Sequence, residues 1–102
     1  AVMPDLALGW LHEAYAVRRA SSGGLNAAWD ILHAAADKFP DEEVIAYNLA
    51  CYATQLGRPD EGWEWLLRAF QIGGGSAAMR QMARQDADLA PLHPRIRGLP
   101  SA

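Results

Sequence analysis

The stretch DEEVIAYNLACYATQLGRPDEGWEWLLRAFQIGGG, residues 41–75, decides the fold. Asp41, Glu42 and Glu43 put three acids where a helix dipole is positive. Ile45, Leu49, Tyr52, Ala53 and Leu56 then recur at helical spacing. Gly57 suits the left-handed residue that ends a helix. Pro59, Asp60 and Glu61 open another helix almost at once, carrying Gly62, Trp63, Leu66, Ala69 and Phe70. Gly73, Gly74 and Gly75 stop it. The stretch therefore predicts two antiparallel helices joined by a tight turn. Small residues, Ala50 on one helix and Gly62 on the other, stand where the axes must come closest.

The same arrangement precedes it in the chain. Ala16 corresponds to Ala50, Gly23 to Gly57, Ala28 to Gly62, Trp29 to Trp63, Leu32 to Leu66 and Ala35 to Ala69, each pair separated by 34 positions (50 − 16 = 34). Repetition of a two-helix unit at this period marks a helical-hairpin solenoid. The first unit is expected to hold a helix over about residues 4–20, a turn at Ser21-Ser22-Gly23-Gly24, and a second helix with Leu25, Ala28, Trp29, Leu32, Ala35 and Ala36 on one face, closing at Phe39-Pro40. Ala16 and Ala28 are expected to be its close contact.

After residue 75 the pattern is cut short. Ser76 would cap a shorter helix running to about Gln85, with Met79, Met82 and Ala83 facing inward. The tail holds Pro91, Pro94 and Pro100, which leaves room for only a short helical turn. Leu89, Leu92 and Ile96 are spaced to cover the apolar face that the last hairpin would otherwise expose.

These residues resemble the tetratricopeptide repeat. The run Tyr47-Asn48-Leu49-Ala50 is similar to that family's first-helix pattern, Gly57 to its turn glycine, and Pro59-Asp60-Glu61-Gly62 to the start of its second helix, with glycine replacing the usual alanine. Leu66, Ala69 and Phe70 occupy its late core positions. In the first unit Ala16, Ala28, Leu32, Ala35 and Pro40 agree, while His12 stands where a large aromatic is usual. Asp86-Ala87-Asp88-Leu89-Ala90-Pro91-Leu92 resembles the closing segment of many bacterial members. The resemblance covers about residues 9–97. It implies one all-α domain over residues 1–102 with about two and a half repeats, five helices and a capping tail: repeat 1 over 5–40, repeat 2 over 41–75, and a half-repeat with cap over 76–97.

The resemblance also implies a function: non-catalytic binding of a peptide or helical segment of a protein partner in the groove lined by first helices. Carried over position by position, that groove comprises Trp10, Glu13 and Val17, then Val44, Tyr47, Asn48, Cys51, Thr54 and Gln55, then Arg80 and Arg84. Asn48 stands where the family's asparagine often holds a bound peptide. Trp10 and Ala14 occupy positions where a lysine and a second asparagine would complete a carboxylate clamp, so an acidic chaperone tail is not the expected ligand. If Tyr47 and Asn48 line a groove, replacing both with alanine leaves melting nearly unchanged. Two other readings stay open. One is self-association as a homodimer through apolar residues such as Trp10 or Trp65, because a solenoid this short is barely long enough to stand alone. The other is a small metal-binding or enzymatic protein using His33, Asp37 or Cys51.

Composition narrows the classes. The 102 residues are half apolar and one-fifth charged, with net charge −3 and pI near 5.5. That balance argues against nucleic acid or anionic lipid as a partner. Arg18-Arg19 and Arg95-x-Arg97 form no basic stripe. No segment approaches the roughly 20 apolar residues of a membrane helix, and residues 1–10 lack the basic region of a secretory signal. One cysteine, Cys51, favours a reducing compartment, so a cytoplasmic location is expected. Arginine over lysine and many alanines fit a bacterial source. No cofactor is expected: His12-Glu13 lacks the following histidine of a zinc helix, His33 and Asp37 have no third ligand, and Gly73-Gly74-Gly75 has no lysine after it to hold phosphate.

Overall fold

The computed structural model describes residues 10–12, 14, 16, 24–74 and 77–99. Every regular element among them is helical. Trp10, Leu11, His12, Ala14 and Ala16 are helical. They are followed by α1 (Gly24–Lys38), α2 (Glu43–Gln55), α3 (Pro59–Ile72), α4 (Ala77–Gln85), a 3-10 segment (Ala87–Leu92) and α5 (His93–Arg97). The expected first-helix start at Pro4, the turn at Ser21-Ser22-Gly23 and the cap at Ser76 lie outside the described residues.

The α2–α3 pair is the hairpin expected from residues 41–75. Gly57 adopts φ 82°, and the amide of Arg58 donates to Ala53 O at 2.9 Å while that of Gly57 donates to Thr54 O at 3.2 Å. Those two bonds form a Schellman turn, which satisfies carbonyls the helix end would leave open. Pro59 then sits in the first turn of α3, with Asp60 and Glu61 at its positive end. At the far end Gly74 adopts φ 72° and stops α3.

α2 is the centre of the fold. Nine of its thirteen residues are buried, on nearly every side, as a helix enclosed by neighbours must be. Tyr52, Ile45 and Leu49 are among the largest fully enclosed side chains, together with Leu32 from α1 and Leu66 from α3. The 3-10 segment and α5 close the other end: Leu89, Leu92 and Ile96 are all 0% exposed. The 3-10 segment lies against α2, α3, α4 and α5. An exposed ion pair of 2.6 Å between Arg95 and Asp60 joins α5 to the start of α3 and adds little on its own.

Several expectations need correction. Ala16 is exposed while Leu11 and Ala14 are buried, so Ala16 is not the close contact of the first hairpin. Leu11 and Ala14 share one face at i, i+3 spacing, and Ala16 falls on another. Met82 is 49% exposed instead of facing inward; Ala83, beside it, is the α4 residue that is buried. Trp29 is buried, but Trp63, its partner in the repeat, is only partly so.

Close packing between α2 and α3 rests on Gly62. A Cβ there would meet the Thr54 hydroxyl and lie 3.0 Å from the Ala50 carbonyl oxygen. Thr54 cannot turn away freely, because its hydroxyl donates to Ala50 O at 2.7 Å. Gly62→Ala is therefore expected to lower stability by about 1–2 kcal/mol, even though alanine is the better helix former. Equilibrium denaturant unfolding reads the sign, and a stabilised variant would show the two helices to be farther apart than this.

Candidate functional site

One face of α2 carries a stripe that is part exposed and part buried. Val44, Tyr47, Asn48 and Cys51 follow one another at i, i+3, i+4 and i+7 and so share a face. Met79 and Met82 from α4 stand opposite, and Asp86 and Asp88 close one end. Together these eight residues line an open groove of about 380 Å³. Over the seven residues from Val44 to Cys51 a helix rises about 10 Å.

Asp86 organises that end. One carboxylate oxygen accepts a 2.8 Å hydrogen bond from the Tyr47 hydroxyl, across 39 residues of chain. The other accepts from the Asp88 amide at 3.0 Å, capping the 3-10 segment. Its backbone carbonyl lies 2.9 Å from His93 Nε2, which must carry the proton in that contact. The Cys51 thiol lies 4.0 Å from the carboxylate. Burial, and then the adjoining Asp86 carboxylate that accepts its proton, push the Tyr47 phenol well above the ordinary tyrosine range. Asn48 turns its amide back onto Val44 O at 2.8 Å, within its own helix.

Of the residues expected in a groove, Val44, Tyr47, Asn48 and Cys51 come together. Thr54 does not join them: it is buried between α2 and α3, bonded to Ala50 O. Being four residues from Ala50, it shares the face that meets Gly62. Arg80 lies on another surface, its guanidinium 5.9 Å from the Phe70 ring centre and beside Leu67, Gln71 and Leu99. Arg84 is exposed, and neither it nor Gln55 lines the groove. Trp10 also stands elsewhere, with Lys38 Nζ 5.8 Å from its ring centre. Glu13 and Val17 lie outside the described residues. Tyr47 is only 8% exposed, so its hydroxyl end serves packing as much as a groove wall, and its replacement by alanine would not leave melting unchanged.

Met79, Met82, Asp86 and Asp88 are the lining residues that the sequence reading left out. Asp86-x-Asp88 before Leu89 carries a signature of its own, a side chain that caps the following turn. Its bond to Tyr47 leaves no such trace.

The metal reading changes shape here. His33 is exposed beside Trp29, tilted against it with ring centres 5.4 Å apart, and meets Trp65 edge-on at 5.7 Å, and Asp37 is exposed. Among the described residues the one group with metal-ligand spacing is Cys51, Asp86 and Asp88, whose ligand atoms lie within 4.8 Å of one another. Each Asp86 oxygen already accepts one hydrogen bond and keeps a further lone pair, so a cation there would share the carboxylate with the Tyr47 hydroxyl and the Asp88 amide. Trp65 is partly buried: Trp29 meets it edge-on at 6.3 Å, and the Arg68 guanidinium lies 5.1 Å from its ring centre.

Compared with protein-family models, with curated proteins and with solved structures, the chain matches none. No helix among the described residues is long and apolar enough to cross a membrane.

Tyr47→Phe is expected to cost about 1 kcal/mol, since the Asp86 carboxylate loses its donor in a partly buried setting. It also bears on alkaline stability. The fold favours the neutral phenol, so the native state holds a proton that the unfolded chain releases near pH ~10, and stability falls as pH rises beyond that value. The phenylalanine variant should lose less stability over that alkaline range than the wild type. Parallel slopes for the two proteins would show that Tyr47 ionises freely.

Proposed function

We propose that this chain is a non-catalytic protein-interaction module of the tetratricopeptide type, acting in the cytoplasm, which holds a segment of a partner protein in the groove between α2 and α4. One observation carries the reading. Among the described residues the exposed large hydrophobic side chains are Val44 and Met82, and both line this groove. Apolar surface gathered in a concavity with polar ends is what a binding site for a peptide requires. Elsewhere among the described residues the large apolar side chains are buried or partly buried, and Trp29 also has the Arg58 guanidinium 5.0 Å from its ring centre.

The groove's chemistry favours binding over turnover. Cys51 has a carboxylate as its neighbour, and that disfavours the thiolate a nucleophile needs. Asp86, the best-placed acid, is held by two donors and serves as a structural joint. The tetratricopeptide reading draws its support from the α2–α3 hairpin, with its small-residue contact and Schellman turn, and from a closing segment that buries three apolar residues against it.

The test replaces the exposed pair. Val44→Ser with Met82→Ser should change stability by no more than about 0.5 kcal/mol, because both side chains already face solvent. Proteins retained from a lysate by the immobilised wild type should be lost by this variant. Retention of the same set by both would place the binding surface elsewhere.

A further inference from the structure

We propose that the segment seated in this groove is anchored by an arginine or lysine side chain whose cation meets Asp88, with apolar neighbours lying over Val44, Met79 and Met82. The inference rests on the groove reading above and names the chemistry of what fills it.

Charge complementarity carries it. Two partly buried carboxylates two residues apart close one end of the groove. Asp86 already has a donor on each oxygen, the Tyr47 hydroxyl on one and the Asp88 amide on the other, which leaves Asp88 the less engaged of the two. The Asp88 side chain keeps its acceptor capacity. The ion pairs among the described residues are Arg58 with Glu61 and Arg95 with Asp60, so neither groove carboxylate is neutralised by them. Arg80, the basic residue of α4 with a part-buried side chain, is turned to Phe70 on another surface. Like charges this close, partly withdrawn from water, repel each other and are screened less than surface charges. An incoming guanidinium or ammonium relieves that repulsion and gains a charge-assisted hydrogen bond.

The apolar wall then sets what accompanies the cation. Val44 is 44% and Met82 49% exposed, and methionine adapts to differently shaped neighbours. Some 10 Å of groove suffices for two or three side chains. A cation flanked by one or two apolar residues fills it, whereas an acidic segment would add a third negative charge at the closed end.

Selection of displayed random dodecapeptides on the immobilised chain tests this, followed by fluorescence anisotropy with the labelled consensus peptide. Enriched sequences should share an arginine or lysine beside one or two large apolar residues. Replacing that cation with glutamine should weaken binding roughly tenfold or more, the loss of one charge-assisted hydrogen bond. Asp88→Asn, which keeps its backbone amide on Asp86 and so its melting temperature, should weaken it equally and remove most of its salt dependence. Enriched peptides without a cation, or binding indifferent to Asp88→Asn but lost with Val44→Ser/Met82→Ser, would overturn the anchor and leave the groove standing. Binding that needs zinc and disappears with chelator would assign the carboxylates to a metal, again overturning the anchor. No enrichment, or peptides that bind the Val44→Ser/Met82→Ser variant as well as the wild type, would remove both.

Discussion

Everything in this fold depends on how closely α2 and α3 approach at Ala50 and Gly62. Gly62 brings no side chain to that point, and a Cβ there would meet the Thr54 hydroxyl and the Ala50 carbonyl. The Schellman turn at Gly57 and the proline start of α3 hold the register of that approach at one end. At the other, the Glu43 carboxylate reaches across to Gly73, where a Cβ would meet it. Backbones this near give dispersion contacts along their length, and Leu49, Tyr52, Leu66, Ala69 and Phe70 pack into one core. With one side of α2 committed to α3, the remaining sides divide between α1, the closing segment and the groove.

The closing segment does two things through different residues. Leu89, Leu92 and Ile96 are buried in the core. Asp86 instead ties the segment to α2 through Tyr47, and in doing so places Asp88 at the groove's end. A structural joint thereby gives the groove its charge. The aromatic cluster away from the groove is built otherwise: Trp29, His33 and Trp65 meet edge-on or tilted, and Arg58 and Arg68 cover two of the rings. Those cations occupy faces that a ligand would otherwise use.

What could be read in the sequence was what the backbone dictates locally. Gly57, Pro59, Gly62 and the triple glycine have narrow conformational meanings, and they located α2, α3 and their contact. The leucine spacing in the tail likewise located the cap. The groove was legible only along α2, where one helix fixes the face shared by Val44, Tyr47, Asn48 and Cys51. Its other wall depends on how α4 is rotated after the glycine turn, and no local pattern sets that angle. Carrying a repeat template past the turn placed Arg80 in the groove and Met82 in the core; α4 instead buries Ala83, exposes Met82 and turns Arg80 to Phe70. Thr54 was misplaced for a different reason. It lies on the face of Ala50, and only the missing side chain at Gly62 shows how that space is filled. The bond between Tyr47 and Asp86 joins residues 39 positions apart and has no trace in any short window of sequence.

The most direct test of this account is a map of where a bound segment sits. Methyl and backbone NMR spectra of the chain, recorded while the consensus peptide is titrated in, report that position residue by residue. Shifts gathered on Val44, Asn48, Cys51, Met79, Met82 and Asp88 are the expected result. Shifts confined to Trp29, His33 and Trp65 would contradict it and move the binding surface to that aromatic cluster.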